Sequence, residues 1–465
     1  MTLLEKGRQV HVDFIKSALR LISRHKVAFL LLIAILLSLH THWMVLREWH
    51  MPTYGNTMIH VASARHVIET GDYPLIDYSY GGGIPNLYVP AYRILVAVFV
   101  LLTGLTLDEA SRLLVLIFSV MVPIGFFILG RKMFGTNVGL LAAFACVLPG
   151  EFLIYTVRPL PQAMGLALLP IAFHAFYTRN LRVALLTALA ITLIHQEAAA
   201  FLVGGLCVYF GFVILHMIWR VLISKEFNME KHSHLLKHLL AGIAFSLFVY
   251  LAWQSLIVGH INFFELAQFK NHEGNVVSMD SYLLKTGSLV STFCLAGLFL
   301  CVAYFVKYLL KEFSAIPDDV RPGLRSFFTF LFAAFGSYLV LNNFSISRNL
   351  SQVSISFPVY LGPLAGMEIA LISLVVALFG VFVLKILDHS EEFSKHDKLA
   401  YLFLFALFVA GFVAVKNDAI PFIAPRVFMD RFLVYLQIPL VLLASLGAYS
   451  LFEFALQLPK RHLPA

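Results

Sequence analysis

The sequence predicts an all-α, polytopic transmembrane helical bundle, and three observations carry that reading. The chain is 60% hydrophobic with 43 Phe in 465 residues and only 13% charged, and its mean hydropathy is +0.84. Both lie far above the roughly half-apolar usage of soluble domains. Apolar runs of bilayer-spanning length recur from end to end. Most Lys and Arg sit in the short segments between those runs, where lipid does not have to accommodate them.

Taken in order, the basic segment 1–26 precedes the first apolar run, 27–45. A cleavable leader needs a shorter apolar core and small residues after it, whereas "HTHWMVLREWH" follows here, so the run reads as a retained signal anchor. Further spans are expected at 110–129, 138–155, 161–177, 181–194, 198–222, 236–257, 291–307, 324–341, 360–387, 399–415 and 433–456, about twelve with the first. The third of these is the weakest, because Pro149, Gly150 and Glu151 interrupt it. The predicted organisation is a cytoplasmic segment 1–26, a membrane domain 27–456 with an outer loop 46–109, and a cytoplasmic tail 457–465. Cys146, Cys207, Cys294 and Cys301 all lie within apolar runs, which suits packing and not a framework of loop disulfides. A net charge of +8 follows from the short inter-span loops, so no nucleic-acid partner is implied.

The stretch "YGNTMIHVASARHVIETGDYPLIDYSYGGG" is too long and polar for lipid, and belongs in a large loop in water or at the interface. The run 92–105 that follows it decides the topology. If it lies flat on the outer surface, about two-thirds of the 34 Lys and Arg fall on one face, which the positive-inside rule makes cytoplasmic together with both termini. If it spans, that asymmetry disappears. A cell-membrane protein with its functional face outside is the resulting expectation.

The order of short patterns along the chain resembles the GT-C superfamily of integral-membrane glycosyltransferases, which use polyprenyl-phosphate sugars and include, more distantly, the oligosaccharyltransferase catalytic subunits. The residues that carry it are His60 and "VIETGDYP" in the first loop, the surface run "YVPAYRILVAVFVLLTGL", then "VRPLPQAMGLALLP", "LIHQEAAAFLVGG" and "RFLVYLQIPLVLLASLGAYSL" in the last span. The resemblance implies an inverting hexosyl or pentosyl transferase of the cell envelope. Its donor would be a polyprenyl-phosphate-linked sugar, and its acceptor a glycan, lipid or protein at the outer face of the bilayer. Two departures stand out: Asn56 occupies the position where relatives place a catalytic Asp before the loop-one His, and no "WWDYG"-like motif is present. Asn56 favours an alternative, a catalytically inactive lipid-binding or assembly subunit on the same scaffold. A transporter is a third class, for which mid-span ionisable residues are few beyond His174, His216 and Glu368.

Such a transferase needs a carboxylate to take a proton from the acceptor and cations to stabilise the leaving lipid phosphate. Glu48, Asp72 and Asp77 are the candidate catalytic acids of loop one, with Asp72 in "TGDYP" equally readable as turn chemistry. Asn56 and His60 are the acceptor-side candidates. Arg431, Arg426, Arg158 and Arg348 are the outer-side arginines suited to a phosphate, Arg431 foremost because it opens the last span. His195 and Glu197 interrupt the boundary between two spans, where ionisable groups are costly; a water-exposed helical turn accounts for them equally well. The resemblance also admits a divalent cation, magnesium or manganese, and His40, His42, His50, His60 and His66 cluster near the end of the first span. Against a shared metal, His40 and His42 are spaced to opposite sides of a helix.

The charge map makes one prediction. With the native Cys replaced, single Cys placed in the loop 261–286 are expected to react with an impermeant thiol reagent from outside only, since Lys231 falls inside and Lys270 outside. Labelling from the cytoplasmic side alone overturns the topology.

Overall fold

The computed structural model describes residues 25–48, 55–77, 84–86, 88–224, 229–258, 285–287, 290–291, 293–302, 398–415 and 429–462. The first span is α1, Lys26–Glu48. Its buried positions Ala34, Ser38, His42 and Leu46 recur every four residues and form one stripe, while Phe29, Leu32, Leu36 and Leu37 face outward. The stripe is small or polar because it touches backbone: the Ser38 hydroxyl donates to the carbonyl of Ser119 at 2.8 Å.

Loop one contains α2 (Gly55–Thr70), a two-residue antiparallel ladder of β1 (Ile76–Asp77) with β2 (Ile84–Pro85), and α3 (Ala91–Thr103). Gly71 closes α2 at φ 79°, the left-handed conformation that a helix C-terminus favours. The helix α3 is 13 residues long, about 20 Å, too short for a hydrocarbon layer of about 30 Å. Its buried residues Tyr92, Arg93, Val96 and Ala97 make one face.

The bundle continues with α4 (Leu107–Phe134), opened by a capping box in which Thr106 and Glu109 satisfy each other's backbone N–H. Then come α5 (Thr136–Ala145) and α6 (Gly150–Thr156), which meet at 74° across the Pro149–Gly150 interruption. The expected third span is thus interrupted by a sharp bend at the Pro149–Gly150 step. Next are α7 (Pro161–Tyr177), α8 (Leu181–Ile194), α9 (Gln196–Ser224), α10 (Met229–Val258), α11 (Phe293–Val302), α12 (Lys398–Val415) and α13 (Met429–His462). Among the described residues, α1, α4, α9, α10 and α13 contain stretches long and apolar enough to cross a membrane, and the α5–α6 pair adds a sixth if it is one bent span. The expected spans 324–341 and 360–387 lie outside the described residues, so the structure does not extend to a count of twelve.

The core gathers on α13, where Leu433, Val434, Ile438, Val441, Leu442 and Leu443 are fully buried. Aromatic edges join α7, α9 and α12: Phe173 meets Phe201 at 5.8 Å between ring centres, and Tyr209 meets Phe403 at 4.8 Å. Backbone approach joins α4 to α5. A Cβ on Gly139 would stand 2.7 Å from the Phe127 carbonyl oxygen and 2.8 Å from the Arg131 nitrogen, neither of which can swing aside. Gly139→Val is therefore expected to cost about 1–3 kcal/mol, lowering the midpoint of thermal unfolding in detergent. Gly204→Ala, which meets nothing within 4 Å, is expected to be neutral or stabilising. Equal effects would count against the α4–α5 packing.

Candidate functional site

Two polar nodes sit beneath and beside loop one. The first is built on Arg93, whose guanidinium is fully buried. Its Nε donates to Nδ1 of His60 at 3.0 Å, and Nη1 donates to the Tyr73 hydroxyl at 2.8 Å and to Oδ1 of Asn86 at 3.0 Å. Tyr88 lies under the cation at 5.0 Å. Asn86 in turn donates to the carbonyl of Pro74 at 2.9 Å. One side chain thus ties α2, the turn after it, the ladder and α3 together. Every partner named is neutral, so the charge is shared among dipoles and aromatic faces.

The second node lies where α8 gives way to α9. His195 adopts an extended conformation after Ile194, and its Nδ1 accepts the N–H of Ala198 at 3.4 Å, capping α9 in place of the usual Ser or Asp. Two residues on, Glu197 occupies the first turn of α9, where the helix dipole favours an anion. Arg431, at the start of α13, donates from Nη1 to Oε1 of Glu197 at 3.0 Å. The Glu197 side chain is 8% exposed and that of Arg431 34%, so the pair runs from the interior toward a mouth. The Tyr435 hydroxyl, one turn further along α13, meets His195 Nδ1 at 2.9 Å. Oε2 of Glu197 lies 3.9 Å from His195 Nε2 and has no hydrogen-bond partner among the described residues.

The nodes adjoin. Burial, then the charge of Arg93, then that of His195 hold the His60 imidazole well below its usual value of 6.5. Burial likewise lowers His195, with Glu197 opposing and Arg431 reinforcing the shift.

The structure brings together His195, Glu197 and Arg431, three residues expected to matter for separate reasons, and sets His60 beside them. Arg431 pairs with Glu197. Glu48 is exposed and paired with Arg47 at 3.0 Å. Asp72 is exposed in the turn after Gly71, its N–H donating to the Thr70 hydroxyl at 3.2 Å, as turn chemistry requires. Arg158 stacks over Tyr155 at 4.8 Å. The backbones of Asn56 and Asp77 are placed in α2 and β1, but their side chains, and all of Arg348, Arg426 and His50, lie outside what is described. His42 is buried between the Ser38 carbonyl (2.7 Å) and the Thr156 hydroxyl (3.0 Å), while His40 and His66 are exposed. Among the described residues no three His, Cys, Asp or Glu side chains converge, so the residues seen do not assemble a cation site and no chemical step is derived through one. Arg93, Tyr435 and Asn86 escaped sequence reasoning. Their signal was a charge or hydroxyl inside an otherwise apolar helix, and a polar residue beside the Gly triplet.

No family model matches the chain, and none of the curated proteins matches it. Structural similarity extends over most of the chain to the oligosaccharyltransferase of the archaeon Archaeoglobus fulgidus. Its complex with zinc and sulfate aligns at 14% identity and a TM-score of 0.47, over 92% of this chain and 50% of that one. Its AglB complex with an inhibitory peptide and a dolichol-phosphate gives 15% and 0.46, over 96% and 52%. The apo form gives 16% and 0.45, over 94% and 51%. The chain spans about half the length of these structures.

The depressed His60 has a testable sign. Between its folded value and 6.5 the unfolded loop binds a proton that the folded loop excludes, so docking stability falls as pH drops through about 6.5. A proton on Nδ1 also removes the acceptor that Arg93 uses. Hydrogen exchange at the amides of α2, corrected for intrinsic rate, is expected to lose protection between pH about 7.5 and about 5.5. A flat profile overturns this account of the node.

Proposed function

We propose that the chain is an integral-membrane glycosyltransferase that moves a sugar from a polyprenyl-phosphate-linked donor to an acceptor at the outer face of the cell membrane. The observation that carries this reading is the meeting of Arg431, one-third exposed, with the buried carboxylate of Glu197 and the neighbouring His195 at one end of the bundle. Glycosyl transfer requires that combination. The acceptor gives a proton to a base, its nucleophilic atom forms a bond to the anomeric carbon, and the bond from that carbon to the phosphate oxygen breaks. The polyprenyl phosphate leaves with the electron pair, and a guanidinium stabilises the charge it carries. Arg431, held by Glu197 and one-third exposed, is the cation that meets the phosphate in this proposal. Arg158, Arg348 and Arg426 are the further outer cations in this proposal.

One observation favours the inactive lipid-binding or assembly subunit: Asn56 stands where relatives carry an acid, and two of the loop-one carboxylates, Glu48 and Asp72, are exposed. The two readings share lipid-phosphate binding and differ in turnover.

Binding of farnesyl phosphate, a short polyprenyl phosphate, is expected to weaken about tenfold or more in Arg431→Lys, because a point charge does not replace the two-pronged guanidinium. Titration calorimetry on detergent-solubilised protein reads this, with thermal unfolding as the folding check. Unchanged affinity in Arg431→Lys and in the paired variant Arg431→Met/Glu197→Gln would remove Arg431 from the phosphate site. Transfer assays on Glu48→Gln, Asp72→Asn and Asp77→Asn identify any loop-one base by a severe loss in one of them.

A further inference from the structure

We propose that the space between His195 and Glu197 is the acceptor subsite, that the group it takes is a hydroxyl, and that Glu197 receives its proton. This rests on the transferase reading above.

The hydrogen-bond inventory fixes what each atom offers. The Ala198 N–H can only donate, so Nδ1 of His195, its partner, is an unprotonated acceptor. We assign the Tyr435 hydroxyl, which bonds to the same nitrogen, as a second donor to it, and this assignment puts the imidazole proton on Nε2, the nitrogen that faces Glu197. On the other side, Arg431 occupies Oε1 and leaves Oε2 without a partner among the described residues, in a residue 7% exposed. One fixed donor and one fixed acceptor thus face each other at 3.9 Å, too far apart to bond directly.

That separation selects the occupant. A single oxygen accepting from Nε2–H and donating to Oε2, both at ordinary lengths of about 2.7–2.8 Å, closes the triangle at about 90°, near the angle a hydroxyl prefers. A carboxamide presents its donor and acceptor on different atoms more than about 2 Å apart, and would need a wider opening. The bound hydroxyl points its proton at a carboxylate already held in place by Arg431. Deprotonation as the C–O bond forms leaves Glu197 protonated and the acceptor oxygen joined to the sugar, and the departing lipid phosphate takes the electron pair of the broken bond. His195 orients the acceptor oxygen, and Tyr435 acts through His195 as a positioning residue.

The test uses the full chain in detergent with farnesyl-phosphate-linked hexoses and pentoses as donors, and octyl glucoside or an Asn-containing peptide as acceptor. Farnesyl phosphate binding is measured alongside. Expected are transfer to octyl glucoside and not to the peptide, and a kcat lower by about 10²–10⁴-fold in Glu197→Gln, whose amide still accepts from Arg431. Farnesyl phosphate affinity should be retained. Tyr435→Phe should lower kcat about tenfold with KM for the donor unchanged, a split that a general loss of packing does not produce. Parent-like turnover in Glu197→Gln, or transfer to the peptide alone, overturns the subsite and leaves the transferase reading standing. Farnesyl phosphate binding without turnover in the parent overturns both.

Discussion

An ion pair between residues 234 positions apart joins α9 to α13 at one end of this bundle. Glu197 is buried and Arg431 reaches the mouth, so the carboxylate is tolerated inside only because the guanidinium is there. Removing one partner of a fully buried pair costs about 3–5 kcal/mol, and less where one group keeps a third of its surface in water. The same contact ties the start of α9 to the start of α13, one turn from where Tyr435 meets His195. The electrostatics of this end of the bundle and its geometry are therefore one constraint.

Loop one handles a buried charge in another way. Arg93 meets an imidazole, an amide, a phenol and an aromatic face, all of them neutral. Spreading the charge over several dipoles requires all of them to be in place together, which makes the fold of the loop cooperative. Burial, and after it the nearby Arg93 guanidinium, keep the His60 imidazole neutral, so it can accept from Arg93.

Much of the helical layout was legible in the sequence. The runs 161–177 and 181–194 coincide with α7 and α8, because Pro161 opens one helix, Asn180 caps the other and both are mostly apolar. The interruption at Pro149 foretold a break, and the structure gives it as a 74° bend. The site was legible only in pieces. His195, Glu197 and Arg431 each stood out as an ionisable residue at a span boundary, but nothing local says that α9 and α13 are neighbours. Arg93 and Tyr435 were hidden for the opposite reason. A single arginine or tyrosine in an apolar helix reads equally as a side chain snorkelling to the interface, and only packing shows which way it turns.

The helix α3 turns a buried node inward and a greasy edge outward, with Leu102 79% exposed at its far end. An apolar edge of that kind settles where it leaves water, whereas the long spans are set by the thickness of the hydrocarbon layer. Arg93 is carried on α3, and His195, Glu197 and Arg431 at the starts of α9 and α13. What covers the edge of α3 therefore bears on the element that holds Arg93, so that the surroundings of this helix enter the packing of the node and not only its solvation.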